Sequence, residues 1–181
     1  PLNLNNLERN ALIAFLKRPL TDPRVRDALP PFDHPVLFSQ SDRRAEVFGE
    51  GGPGSGGFIP APLVLEPALI GNPSMTMGLA QGMGGAPVLI GLDVASSPPG
   101  TMVKGVPFHL GFTPAMFIYP FPPGLLSGSG PGNGFATVPA PVLDDPTIVG
   151  LEVVLQWFVV DPGAAGGIAS TPGVRLTFFA P

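Results

Sequence analysis

Glycine and proline fill 51 of the 181 positions, 25 and 26 respectively. Proline breaks helix interiors and removes a ladder donor, and glycine weakens helices and strands alike, so long regular elements are excluded from most of this chain. Such a density, without a period, ordinarily goes with disorder. Disorder also requires low hydrophobicity, whereas 44% of these residues are apolar and the mean hydropathy is +0.35. Many short strands joined by Gly/Pro turns satisfy both facts.

Charge divides the chain. Fourteen of its 22 charged residues lie in the first 50 positions, and the remaining 131 carry eight: six acids, Lys104 and Arg175. That body, with His109 as its one histidine, has few groups for acid–base chemistry. A net charge of −4 argues against nucleic acid, since no basic run could neutralise a row of phosphates. The lack of cysteine excludes disulfides, Cys-ligated zinc, iron–sulfur clusters and c-type haem within this chain. No apolar run free of Pro and Gly approaches 18 residues, so no transmembrane helix is expected. The start at Pro1, with no signal peptide, reads as a processed or truncated piece.

Leu4, Leu7, Leu12, Phe15 and Leu16 recur near helical spacing, which predicts a helix over 3–17 capped by Asn5 or Asn6 and stopped by Pro19. A short second helix is expected over 22–28 with Pro23 at its first position. Pro30-Pro31 should force extended chain. Residues 49–57 (Gly-Glu-Gly-Gly-Pro-Gly-Ser-Gly-Gly) read as a flexible linker between a helical segment, 1–48, and a β domain, 58–181. Strands are expected at 63–70, 74–80, 88–94, 106–112, 115–119, 135–138, 148–160 and 174–179, and 127–134 reads as a mobile hairpin loop. The expected fold is a mainly β, antiparallel sandwich of about eight strands with a short helical N-terminal segment. In the clearest strand, Leu151, Val153, Leu155, Trp157 and Val159 share one face, the one a sandwich core would bury. Glu152, Val154, Gln156, Phe158 and Val160 share the other, whose apolar later part calls for a cover.

Residues 10–37, from Asn10-Ala11-Leu12-Ile13-Ala14-Phe15-Leu16-Lys17 through Leu20-Thr21-Asp22-Pro23-Arg24-Val25 to Pro31-Phe32-Asp33-His34-Pro35, resemble the C-terminal tail of di-haem cytochrome c peroxidase-like proteins. That family's chemistry resides in CxxCH haem sites, which this chain lacks, so the resemblance implies derivation without peroxidase activity. Residues 48–180 are similar to a secreted C-terminal β domain of uncharacterised planctomycete-type bacterial proteins. The similarity rests on Phe48-Gly49-Glu50-Gly51-Gly52-Pro53-Gly54-Ser55-Gly56-Gly57, Ile70-Gly71-Asn72-Pro73, Leu89-Ile90-Gly91, Gly150-Leu151, Asp161-Pro162-Gly163 and Val174-Arg175-Leu176-Thr177. The family pattern often carries a cysteine where Gly52 stands here, so the disulfide it implies is missing.

No residue is expected to be catalytic, to bind a cofactor or to ligate a metal. His34 and His109 are weighed as ligands, but no second His or Cys stands near either in sequence. Asp144-Asp145 with Glu152 or Asp161 could offer hard oxygens to calcium, although Asp before Pro is ordinary turn chemistry. Ser129 and Ser170 lie in glycine-rich surroundings without a nucleophile-elbow pattern. Met75, Met77, Met83, Met102 and Met116 fit either a core or a sticky surface.

Eight charges are few for a 131-residue body, so burial against other copies or another chain is expected. The functional expectation is a secreted, non-catalytic structural module. It associates with copies of itself, as a homo-oligomer or polymer, through apolar β surfaces and the N-terminal helix, at the cell surface or outside the cell. The alternatives are an accessory C-terminal domain of a periplasmic di-haem peroxidase-like electron-transfer protein and a carbohydrate-binding sandwich.

Overall fold

The computed structural model describes residues 4–17, 23–33 and 37–181. The chain divides into two compact units, Pro1–Leu37 and Phe38–Pro181.

In the first unit helix α1 spans Asn6–Lys17. Asn5 resolves the choice of cap. Its Oδ1 accepts the Glu8 N–H at 2.9 Å, while Glu8 Oε2 accepts the Asn5 N–H at 2.9 Å, a reciprocal capping box. Helix α2, Pro23–Arg26, starts on its proline as expected, and the Arg24 guanidinium lies 5.6 Å from the centre of the Phe32 ring. Residues 30–33 form a turn, with the Phe32 N–H donating to the Leu29 carbonyl at 2.8 Å, in place of extended chain. Leu4, Leu7, Leu12, Phe15 and Leu16 are all exposed. No described helix is long and apolar enough to cross a membrane.

The second unit is a mainly β, antiparallel structure of two sheets. Its strands are β1 (Glu46–Phe48), β2 (Ala61–Leu63), β3 (Thr76–Gly84), β4 (Pro87–Asp93), β5 (Met102–Val103), β6 (Val106–Pro107), β7 (Phe117–Leu125), β8 (Gly130–Pro139), β9 (Glu152–Val160), β10 (Ile168–Ser170) and β11 (Gly173–Thr177). The larger sheet runs β1-β11-β9-β4-β7, with β10 also paired to β9. The smaller runs β2-β3-β8, and β5-β6 is a separate hairpin.

Alternation along β9 organises both layers. Leu155, Trp157 and Val159 point between the sheets, where they pack with Leu79 and Ala136 from the small sheet and with Val88, Ile90, Val174 and Leu176 from the large one. Val154 and Phe158 point the other way and are covered by Val106, Phe108 and Leu110 at and after β6. The large sheet is therefore apolar on both faces at its centre. Each such side chain fully removed from water contributes about 1.5–3 kcal/mol, which favours this two-sided burial over a half-solvated sheet. Met75, Met77 and Met83 join the inter-sheet core and Met116 the second cluster, leaving Met102 exposed.

Several boundaries differ from the sequence expectation. Residues 49–57 are built into the β unit and do not form a free linker. Gly52 forms an antiparallel bridge to Ser170, and the Ser55 N–H donates to Asp161 Oδ2 at 2.7 Å. The sandwich accordingly includes β1, and the division between units falls after Leu37. The 127–134 segment belongs largely to β8, which begins at Gly130, and Ser127 bridges Phe135. The expected 63–70 strand is only Ala61–Leu63, since Pro67 cannot donate to a ladder. Ile148 ends a one-turn 3-10 helix, Pro146–Ile148.

Six strands face three, and the consequence appears at the edges. Phe117 and Tyr119 on β7 lie opposite Leu92 and Ile90, on the side of the large sheet that elsewhere packs against the small one. At this edge the small sheet gives them little cover, and each is 53% exposed. Val47 on β1, opposite Val174, is left 57% exposed at the other edge in the same way.

Candidate functional site

Gln156 is a polar residue in the middle of an apolar strand, and it is fully buried. Its Oε1 accepts the His109 backbone N–H at 2.9 Å, while its Nε2 donates to the Pro107 carbonyl at 3.0 Å and the Thr171 carbonyl at 2.9 Å. Thr171 Oγ1 in turn accepts the Trp157 N–H at 3.0 Å. Ser170 Oγ accepts the Gly52 N–H at 3.0 Å and donates to the Pro107 carbonyl at 3.3 Å. Burying such groups unpaired would cost about 1–3 kcal/mol each. Paired, they lock the 106–110 segment across the face of the large sheet and so set the position of His109.

The His109 imidazole is buried, 7% exposed. Its Nε2 donates to the Glu50 carbonyl at 2.8 Å. Phe48 meets the ring edge-on at 5.6 Å between centroids. Close approach is possible because Gly49, at φ +69°, has no side chain: a Cβ there would lie 2.4 Å from His109 Cε1.

The Arg175 guanidinium also packs on Phe48, 4.7 Å from the ring centre. Arg175 sits on β11 directly opposite Glu46 on β1, with Glu152 diagonal to it on β9. Its Nη1 donates to Glu46 Oε2 at 2.6 Å, its Nε to Glu152 Oε1 at 3.0 Å and its Nη2 to Ser96 Oγ at 3.4 Å. The hydrogen bond to Glu46, helped by the charges of both glutamates, holds its pKa above the usual arginine value against a smaller effect of burial. Phe48, Gly49, Glu50, Ser96, Ser97, Thr101, Met102, His109 and Arg175 line a cleft of about 520 Å³.

Its polar groups are largely committed inward. Ser97 Oγ donates to the Phe108 carbonyl, Thr101 Oγ1 donates to the Pro98 carbonyl at 2.7 Å, and Arg175 is held by two carboxylates. The arrangement offers an aromatic wall, a fixed imidazole and an ion-paired guanidinium. That is a shaped recess with a rigid polar wall.

Three of the four acids weighed for calcium, Asp145, Glu152 and Asp161, are dispersed by separate tasks. Asp145 accepts the Thr147 N–H at 2.8 Å and caps the 3-10 turn, as Asp before Pro suggests. Glu152 pairs with Arg175. Asp161, 2% exposed, accepts from the Ser55 N–H, the Ser55 hydroxyl and the Gly163 N–H at 3.0 Å. Burial pushes the Asp161 pKa up, but these donors together bring it below the usual carboxylate value. Asp93 is balanced alike, with burial opposed by the Thr113 hydroxyl and by the amides of Thr113, Val94 and Gly111. Among the described residues no group of three or more His, Cys, Asp or Glu is placed to hold a metal ion. Ser170 is buried in the Gly52 bridge, Ser129 lies exposed in the β7–β8 turn, and His34 falls outside the described residues.

Sequence reasoning missed Gln156 and the Ser55–Asp161 clamp. A glutamine among apolar strand residues was the available signal for the first. For the second, two Gly/Pro-rich segments 106 residues apart gave none. No protein-family model, curated protein or solved structure matches this chain.

Proposed function

We propose that this chain is a non-catalytic structural module that associates with copies of itself through the apolar edge of its large sheet, as a subunit of an extracellular or cell-surface assembly. The observation that carries this reading is the exposure of Phe117 and Tyr119 on the core-facing side of β7. They are placed as core residues with little of a core around them. A second copy supplies what the short sheet lacks, and hydrophobic burial scales with the area covered.

Side-chain packing, not strand addition, is the mode this edge favours. Pro120 pairs with Leu89 and has no N–H to offer a further strand, and the 120–125 part of β7 departs from regular register. The polar residues are consistent with a structural role, because Gln156, Ser170, Thr171, Asp93 and Asp161 all bind backbone within the fold. The exposed stripe of α1 gives a second apolar surface for the same kind of contact.

Sedimentation equilibrium of the full chain over a wide concentration range tests the proposal. Reversible association that strengthens in sulfate, as apolar contacts do, is the expected result. A monomer at every concentration would refute it.

A further inference from the structure

On the opposite face of the large sheet, the β5–β6 hairpin stands over Leu89, Phe158 and Ile118 and encloses a groove of about 200 Å³. Its walls are apolar carbon from Val103, Val106, Phe108 and Ile168 besides those three. Lys104 also lines it, and no acid does. Lys104 and Arg175 are the only lysine and arginine after Arg44. Arg175 is held by Glu46 and Glu152, whereas among the described residues no carboxylate lies within ion-pair distance of Lys104.

The position of Lys104 is conformationally costly. The two-residue turn Lys104-Gly105 has φ +51° and +83°. Asn, Asp and Gly take such turns readily, and a long side chain does so against steric opposition. An exposed lysine thus borders an apolar groove, from an unfavourable backbone state, in a part of the chain nearly devoid of charge. An apolar cavity of about 150 Å³ is enough to hold a benzene molecule, so this groove has room for a ring or a short alkyl chain.

We propose that the groove under the β5–β6 hairpin binds a small amphipathic monocarboxylate, its apolar body against Leu89, Phe108 and Phe158 and its carboxylate on the Lys104 ammonium. An anion is selected because the one charge lining the groove is positive. A single carboxylate is selected because there is a single cation. The proposal is independent of self-association through Phe117 and Tyr119, which lie on the other face of the sheet.

The test is a titration of the full-length, ¹⁵N-labelled protein, followed by amide shifts, with octanoate, 1-octanol and octylammonium, each kept below micelle formation. Octanoate should give saturable shifts at Val103, Lys104, Val106, Ile118 and Ile168. Octanol, with the same chain and no charge, should bind about fivefold more weakly, the size of a partly exposed ion pair, and octylammonium more weakly again. Lys104→Asn, which suits the turn and keeps the fold, should reduce octanoate to the level of octanol, while Lys104→Arg should retain the preference. The proposal is overturned by no saturable shift, by equal octanoate affinity in Lys104→Asn, or by shifts centred on the separate cavity at Met75, Leu143 and Phe178. Shifts at the same amides that depend on protein concentration alone would assign the groove to a protein partner and overturn it too.

Discussion

The Gln156 side-chain carbonyl accepts the backbone N–H of His109 at 2.9 Å, joining residues 47 apart in sequence. With its two donated bonds to Pro107 and Thr171, this amide ties the β6 segment, β9 and the β10–β11 connection together. Gln156→Leu keeps the bulk and removes all three partners. The expected loss is about 2 kcal/mol or more, because the buried His109 N–H and the Thr171 carbonyl lose this partner while the Pro107 carbonyl keeps only the Ser170 hydroxyl at 3.3 Å. A urea midpoint shift measures it, and faster exchange of the His109 amide proton should accompany it.

Trp157 and Phe158 are neighbours on opposite faces of β9, and both are buried. Trp157→Ala and Phe158→Ala should each cost about 3–5 kcal/mol, the range for deleting a large core side chain. Phe135→Ser, on the exposed side of β8, should change stability by less than about 0.5 kcal/mol. A sheet solvated on the hairpin side would instead tolerate Phe158→Ala, so calorimetry of the three variants checks the two-sided core.

Asp161 makes stability depend on pH. Its folded pKa is lowered from the ordinary 3.8, so its contribution is fully present above that value and is lost as pH falls through the folded pKa. The wild type should therefore lose thermal stability progressively below about pH 4. Asp161→Asn should be less stable than wild type at pH 7, by about 1–3 kcal/mol, and should show a shallower acid limb. Melting temperatures of both proteins across this range give the comparison, with Asp93 contributing a second depression of the same sign.

Gly49→Ala places a methyl where φ is +69° and where His109 Cε1 would be 2.4 Å away. Strain and overlap together should cost about 2 kcal/mol or more. In a His109→Ala background the overlap vanishes and only the strain remains. The double-mutant cycle should return a coupling of about 1 kcal/mol, measured by denaturant unfolding.

The fold class was readable because alternation, turn residues and hydropathy agreed, most clearly along β9. The capping of α1 was equally local: Asn5 and Glu8 stand three residues apart. What escaped the sequence was non-local. Residues 49–57 resemble any glycine-rich linker until Ser170 and Asp161, more than a hundred residues away, supply their partners. The same holds for β1 and β10, three-residue strands that exist only because β11 and β9 present an edge. The cleft at His109 was half legible, since His109 stood out as a rare titratable group but the Phe48–Arg175 pairing depends on strand register.

The expectation of protein contact arose from too few charges, and the proposed association rests on the exposure of Phe117 and Tyr119 on β7. Light scattering on the full chain, comparing wild type with Phe117→Glu/Tyr119→Glu, tests the account most directly. Wild type should associate as concentration rises, and the double variant should stay monomeric with an unchanged β circular-dichroism spectrum. A wild type that remains monomeric, or a double variant that associates as strongly as wild type, would contradict it.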